Sequence, residues 1–263
     1  ILKESLKLHR HLQNASQAGT APMPSHLCAP QTVTMPTHAR LHPLQWIMPV
    51  LAVLAAFSAY GGHTLAFALL KPMPLLLLLA CVWRVADRQR HTRSSWLLLI
   101  GLALSLQGDV WLLLRQGFVP GLASFWLAHA CYVALFRREA PTNWRASLWP
   151  ALGCLTAAAW VYSYLWRNGL PVDMRVPVAA YVLVIAAMGT QAITRARLLQ
   201  TRAAHCVAWG ALSFMLSDTI LAVDKFVQPV PAAQLGILGT YYLAQWLIVH
   251  GMLQVLRKPL AKT

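Results

Sequence analysis

The amino-acid sequence predicts an all-α membrane protein with about eight transmembrane helices. Hydrophobic residues make up 58% of the 263 residues and charged residues only 11%, whereas soluble domains average about 45–50% apolar and about 25% charged residues. The mean hydropathy is +0.53, and apolar runs long enough to span a bilayer recur along most of the chain. This composition excludes a disordered chain, a disulfide-rich secreted module and an ordinary soluble enzyme.

The chain divides into three parts by composition. Residues 1–43 are rich in Pro, Thr and His and contain no long apolar run, so we expect a flexible tail that carries no chemistry. Residues 44–258 form the transmembrane domain, and residues 259–263 form a short basic C-terminal tail. In lipid every backbone polar group needs an internal partner, so each apolar run should be a helix. The predicted spans are 45–61, 65–83, 95–114, 118–136, 147–166, 176–194, 203–223 and 235–256.

The distribution of basic residues predicts the orientation. With eight spans, 17 of the 22 Lys and Arg residues fall on the side that holds both termini, and 5 fall on the other side. Because cytoplasmic loops carry an excess of Lys and Arg, both termini should be cytoplasmic. The net charge of +15 is therefore assigned to topology and to attraction towards anionic headgroups, and we expect no nucleic acid among the partners.

Two pairs of segments resemble each other. Ala103-Leu104-Ser105 precedes Gly108-Asp109, and Ala211-Leu212-Ser213 precedes Ser217-Asp218. In the following span, Phe125-Trp126-Leu127-Ala128-His129 is similar to Tyr241-Tyr242-Leu243-Ala244-Gln245. An even number of spans separates the two copies, which predicts two parallel four-helix repeats related by an axis along the membrane normal. Chance similarity in a chain rich in Leu and Ala is the alternative.

Asp109 and Asp218 are the main candidates for catalytic residues. Each lies inside an apolar span, where an Asp costs about 2.5–3.5 kcal/mol on insertion scales and commonly marks a functional site. Their matched depth in the repeated segments favours function. The structural alternative is that each carboxyl group only forms a hydrogen bond to a neighbouring helix.

Further polar residues at similar depth are candidate substrate-binding groups. Lys71 could meet a phosphate or an Asp, or could instead extend to the membrane surface. His129 and Tyr132 lie three residues apart and therefore on one face of a helix. The remaining candidates, each of which could simply bridge helices, are Ser105, Tyr181, Ser217, Tyr242 and Gln245.

Other catalytic motifs find little support. The sequence contains no HExxH and no Glu at helical spacing, so we predict a carboxylate site without a metal ion. It also contains no G-x-S-x-G nucleophile elbow. The five cysteines form no CxxC pair, and we interpret those inside the apolar runs as small core residues.

The ordered set of motifs resembles the YhhN family, which includes the lysoplasmalogenases. The similarity extends from Lys71 to Ile248. Its motifs are Lys71-Pro72, Ser105 with Gly108-Asp109, His129 with Tyr132, Tyr181 with Met188, Gly210-Ala211 with Phe214, Ser217-Asp218 with Phe226, and Tyr242 with Ala244-Gln245. The resemblance implies an eight-helix enzyme of the cell membrane that hydrolyses the vinyl ether bond of lysoplasmalogens without a cofactor. The products would be a fatty aldehyde and a glycerophospho-headgroup, and we expect the protein in a bacterial inner membrane.

The chemistry of the two carboxyl groups fits this reaction. A vinyl ether is cleaved after protonation of its β-carbon, which produces an oxocarbenium ion that water attacks. Glycosidases also use two carboxyl groups around an oxocarbenium-like transition state. The alternative function is a proton- or ion-coupled transporter that uses Asp109 and Asp218 as carriers. A transporter should move substrate across a sealed vesicle, whereas a hydrolase should release aldehyde in detergent.

Overall fold

The computed structural model describes residues 44–88, 92–140 and 143–256. The predictions for the tails, residues 1–43 and 259–263, fall outside these residues. The described part is helical and contains no β-strand. Its helices are α1 (Leu44–Tyr60), α2 (Thr64–Leu70), α3 (Met73–Arg88), α4 (Arg93–Trp111), α5 (Phe118–Arg138), α6 (Trp144–Asn168), α7 (Arg175–Leu199), α8 (Arg202–Phe226) and α9 (Ala233–Leu256).

Capping residues explain several of the helix boundaries. The side chains of Thr92, Asn143 and Thr201 accept hydrogen bonds from the first free backbone N–H groups of α4, α6 and α8, as residues at this position commonly do. Gly169 ends α6 with a φ of 135°, a conformation that side chains with a Cβ rarely adopt. A short connection follows Gly169 and leads into α7.

The predicted apolar runs lie largely on helices. The run 65–83 falls within one candidate membrane span, Thr64–Asp87, in which Lys71-Pro72 forms a turn between α2 and α3. Pro72 and Pro74 have no backbone N–H, so they cannot donate the hydrogen bonds that would continue α2. The carbonyl of Lys71 instead accepts a hydrogen bond of 2.8 Å from the hydroxyl of Tyr242.

Several helices have the length and surface of membrane spans. Four described segments are long and apolar enough to cross a bilayer: Thr64–Asp87, Phe118–Arg138, Val172–Leu199 and Arg202–Phe226. Large apolar side chains cover the outer surface of the bundle, including Trp149, Trp160, Trp209 and Val176. Such a surface suits lipid rather than water, as expected for an integral membrane protein.

Helix α9 packs against α8, α1, α3 and α4. Small residues allow the close contact with α8. A Cβ at Gly210 would lie 2.9 Å from the carbonyl oxygen of Ala244, and one at Gly251 would lie 2.5 Å from that of Ala203. Interfaces between membrane helices commonly use small residues in this way. Because α9 is central, its polar side chains reach partners on several other helices.

Candidate active site

The ten polar residues predicted from the sequence all lie among the described residues, and nine of them are buried. Asp218 is the exception, because its side chain retains 16% of its accessible surface. Burial of so many polar side chains requires hydrogen-bond partners inside the bundle. Some of these residues form two groups, one around each carboxylate.

The first group surrounds Asp109 on α4. The Lys71 ammonium lies 3.7 Å from Oδ1 of Asp109, and the Tyr241 hydroxyl donates a hydrogen bond of 2.8 Å to Oδ2. Side chains of Lys71 and Asp109 are only 7% and 3% exposed. Both carboxylate oxygens are thus occupied by protein groups, and the turn after α2 is tied to α4 and α9.

The second group surrounds Asp218 on α8. The Tyr181 hydroxyl of α7 donates a hydrogen bond of 2.5 Å to Oδ2 of Asp218. The same oxygen lies 3.9 Å from Nε2 of His129 on α5. At this distance His129 forms no hydrogen bond with Asp218, and its ring also interacts with the backbone of Phe125 one helical turn earlier.

Aromatic rings fill the space between the two groups. Phe214 contacts His129, with ring centroids 4.6 Å apart, and it contacts Tyr241, with centroids 5.3 Å apart. Phe214 thus lies between the His129 ring beside Asp218 and the Tyr241 ring beside Asp109. The structure therefore brings both predicted catalytic residues into one region, with the ring of Phe214 between their neighbours.

An apolar cavity of about 280 Å³ lies beside Asp218. Side chains of α5, α6, α7 and α8 line it, and its polar members are Asp218, Tyr181 and Thr219. The apolar members are of the type that binds an alkyl chain, among them Leu122, Phe125, Ala158, Val161, Leu165, Val182, Ile185, Leu216, Ala222 and Phe226. This arrangement places one carboxyl group at the wall of a cavity that suits an alkyl chain.

The prediction that the carboxylates share a cavity with Lys71 and His129 does not hold for this cavity. Asp109, Lys71 and His129 are not among the residues that line it. The physical reason is that each of them packs against other side chains, with Lys71 and Tyr241 covering Asp109 and the ring of Phe214 covering His129. Only Asp218 of the two carboxylates faces the cavity.

The remaining predicted residues join helices to each other. Tyr132 donates a hydrogen bond of 2.9 Å to Oε1 of Gln245, and Ser105 lies beside the Tyr132 hydroxyl. Ser217 donates to the carbonyl of Ile237 at 3.0 Å. These residues do not line the Asp218 cavity. Tyr242, whose hydroxyl reaches Lys71, borders a separate apolar cavity between α1 and α9.

Tyr241 was not predicted as a site residue, although the segment that contains it was identified as part of the repeat. The available signal was its spacing, because Tyr241 precedes Gln245 by one helical turn and so shares its inward face. It also missed Thr219 and the apolar wall, because only packing shows which Leu, Val and Phe residues face a cavity. Among the described residues, no three His, Cys, Asp or Glu side chains cluster as metal ligands would.

The model of the YhhN family matches residues 66–252, which include all ten of these polar residues. The chain belongs to the YhhN family. Similar proteins include lysoplasmalogenase TMEM86B of Homo sapiens. It is 38% identical over 197 residues, which cover 74% of this chain and 78% of the relative. The region that matches the family therefore contains both groups of residues around the carboxylates.

Two further relatives have comparable coverage. Lysoplasmalogenase TMEM86B of Sus scrofa is 32% identical over 216 residues, 80% of this chain and 87% of the relative. A lysoplasmalogenase of Mycobacterium tuberculosis is 30% identical over 217 residues, 76% of this chain and 77% of the relative. No solved structure matches the chain significantly.

Proposed function

We propose that the protein is a membrane-embedded, lysoplasmalogenase-like hydrolase. It cleaves the vinyl ether bond of a lysoglycerophospholipid and releases a fatty aldehyde and a glycerophospho-headgroup. The observation that carries the proposal is the position of the Asp218 carboxyl group at the wall of an apolar cavity. The Tyr181 hydroxyl donates a hydrogen bond to one oxygen of this carboxyl group. The relatives named lysoplasmalogenase support it independently.

The proposed reaction begins with proton transfer from the Asp218 carboxyl group to the β-carbon of the vinyl ether. The alkene π electrons form the new C–H bond, and the ether oxygen stabilises the resulting cation as an oxocarbenium ion. A water molecule adds to the α-carbon and returns one proton to the Asp218 carboxylate. The hemiacetal then breaks its bond to the glycerol oxygen, which takes up the hydroxyl proton, and the aldehyde leaves.

Tyr181 and His129 position this acid. Tyr181 fixes one oxygen of Asp218, which leaves Oδ1 to face the substrate. His129 is fully buried and lies 3.9 Å from Oδ2 of Asp218, the oxygen that Tyr181 contacts. The alkenyl chain occupies the apolar cavity, because burying a CH₂ group is worth about 0.8 kcal/mol. The reacting carbons are then held next to the acid.

The Asp109–Lys71 pair has a different role in this proposal. Both charges are buried and directed at each other, so Asp109 stays ionised and does not contact the substrate. The pair positions α4, α9 and the turn after α2 around the Asp218 group. Asp109 is thus a positioning residue, and Asp218 is the proton donor.

The deciding experiment is a product assay on the purified full chain in detergent. It measures aldehyde release by mass spectrometry from a lysolipid with a vinyl ether, next to the saturated ether of the same chain length. We expect aldehyde only from the vinyl ether, and at least about a hundredfold less of it from an Asp218→Asn protein. Substrate flux into sealed vesicles without any hydrolysis in detergent would instead establish the transporter alternative.

We further propose eight membrane spans with both termini in the cytoplasm of a bacterial cell, at the inner membrane. Eight helical units support this count when α2 and α3 are taken together, as their joint length allows. The distribution of 17 against 5 basic residues supports the orientation. Cysteine labelling from either side of sealed vesicles tests it.

A parallel repeat of α4–α5 and α8–α9 is also proposed. Gly101 and Gly210 each stand eight residues before an Asp of the pair. A Cβ at Gly101 would lie 2.8 Å from Tyr132, and one at Gly210 would lie 2.8 Å from Ile248. Tyr132 and Ile248 correspond when the second helices are aligned as Phe125 with Tyr241. The Ala-Leu-Ser segments are one residue out of this register, so the glycines carry the similarity.

A further inference from the structure

A polar cavity lies at the other end of α7 from the apolar cavity beside Asp218. Its volume is about 320 Å³, and it lies among the end of α5, the first turns of α6 and the last turns of α7. The residues that give it polar character are Arg137, Asn143, Ser147, Gln191, Thr194 and Arg195. Nothing in the proposed hydrolysis uses these side chains.

Arg195 is the unusual member of this cavity. It is 0% exposed, and its Nε, Nη1 and Nη2 atoms have no hydrogen-bond partner among the described residues. The neighbouring Thr194 hydroxyl is buried and equally unpartnered there. A buried guanidinium carries five N–H donors and a full charge, and leaving such a group unpaired is strongly unfavourable. The missing partner should be an anion with several acceptor oxygens.

Glu139 is the acidic residue whose charge acts on Arg195. The two side chains form no ion pair in the described structure, and the hydroxyl of Ser94 donates a short hydrogen bond to Oε1 of Glu139. Glu139 therefore offsets part of the Arg195 charge from a distance but leaves its donors free. The exposed Arg137 adds a second positive charge to the cavity wall.

The position of this cavity separates it from the hydrolytic site. Arg195 follows Tyr181 by 14 residues in α7, which is about 21 Å along a helix. The phosphate of a lysoplasmalogen is joined to its vinyl ether through one glycerol unit. A single substrate molecule therefore cannot place its phosphate at Arg195 and its vinyl ether at Asp218.

We propose that Arg195, together with Thr194 and Arg137, binds a phosphate group in this cavity. Guanidinium groups bind phosphate oxygens in a bidentate manner, and this matches the unpartnered donors. The phosphate can belong to the headgroup of an anionic membrane lipid or to a free phosphate ion. Exposed Trp144 at the cavity rim suits the headgroup region of a bilayer.

The test measures ligand binding to the delipidated full chain in an uncharged detergent. Native mass spectrometry follows added phosphatidylglycerol, and thermal unfolding follows both phosphatidylglycerol and inorganic phosphate. We expect saturable binding and a raised midpoint of unfolding. Stabilisation by the lipid at a far lower concentration than by inorganic phosphate assigns the site to a headgroup. Stabilisation by inorganic phosphate alone assigns it to a free ion. Absence of both effects overturns the proposal.

Variants connect the binding to this cavity. Arg195→Gln should weaken binding by at least about tenfold, since a hydrogen bond to a charged group is worth about 1.5–3 kcal/mol. Arg197→Gln is the matched control, because Arg197 is exposed on the same helix and does not line the cavity. Ala151→Phe fills the cavity without removing a charge and should also abolish binding. Unchanged binding in both Arg195→Gln and Ala151→Phe overturns the proposal.

Glu139 distinguishes the anion site from an internal ion pair. Glu139→Gln removes a negative charge near the cavity, so phosphate should bind more tightly to this variant. If Arg195 existed only to neutralise Glu139, the variant would bind no more phosphate than the unmodified protein and would be destabilised as Arg195→Gln is. That result overturns the proposal. None of these measurements depends on hydrolytic activity, so the site stands or falls separately from the proposed function.

Discussion

The hydroxyl of Tyr181 donates a hydrogen bond of 2.5 Å to Oδ2 of Asp218, and both side chains line the same apolar cavity. Asp109 has an equivalent tyrosine bond from Tyr241 but does not line that cavity. This difference assigns different roles to two residues that look alike in the sequence.

Asp218→Asn should reduce turnover by about 10²–10⁴-fold, which is the usual contribution of a general acid. The amide keeps the shape of the side chain but cannot supply the proton. Binding of the saturated ether analogue should persist, because the apolar wall is unchanged. The measurement is kcat for the vinyl ether with the analogue Kd as the control, and full activity in the Asn protein would falsify the acid role.

The two tyrosines provide a matched comparison. Tyr181→Phe removes a hydrogen bond from the proposed acid, and Tyr241→Phe removes the corresponding bond from Asp109. Asp218 becomes a carboxylate as its proton leaves, and a hydrogen bond to a charged group is worth about 1.5–3 kcal/mol. We therefore expect kcat to fall about 10–100-fold in Tyr181→Phe. Tyr241→Phe should change kcat less and lower the unfolding midpoint more. An equal loss of kcat in both proteins would contradict the distinct roles.

The buried ion pair between Lys71 and Asp109 should behave as a structural unit. Removing one partner of a buried pair costs about 3–5 kcal/mol, because it leaves the other charge uncompensated. Lys71→Met and Asp109→Leu should therefore each destabilise the protein strongly, and the double variant should recover part of the loss. Denaturant unfolding of the four proteins measures this coupling. Additive losses would show that the charges do not depend on each other.

The apolar cavity should set the tolerated chain length. Ala158 lines it, so Ala158→Phe places a ring in the space assigned to the alkenyl chain. We expect KM to rise for long-chain substrates and to change little for short ones. Ala159→Phe is the control on the same helix, since Ala159 is exposed on the outer surface. A similar KM change in both variants would argue against the cavity as the chain site.

Close helix packing predicts a contrast between two glycines. Gly210→Ala places a Cβ 2.9 Å from the Ala244 carbonyl oxygen, and the backbone must shift, which typically costs about 1–3 kcal/mol. Gly153→Ala meets nothing within 4 Å and should stabilise α6 by about 0.5–1 kcal/mol through helix propensity. Thermal unfolding of both proteins checks the sign of each change.

Much of the fold followed from the sequence because apolar composition and run length are local properties. Each predicted run is helical, and the ends of most runs agree with the structure to within a few residues. The break at Lys71-Pro72 is the exception, although its cause was present in Pro72 and Pro74. Mean hydropathy classifies the whole run as apolar and takes no account of the backbone N–H donors that the two prolines lack.

The sequence by itself determined the class of protein, the family and the two candidate carboxyl groups, since these depend only on residue type and order. Only the tertiary structure decided that Asp218 lines the cavity, that Lys71 and Tyr241 cover Asp109, and that Arg195 has no partner among the described residues. A membrane helix is apolar on its lipid face and on its packed face alike, so hydropathy does not tell which face turns inward. That choice depends on how the side chains of α4, α5, α7, α8 and α9 fit together, and contacts between residues more than a hundred positions apart have no local signature.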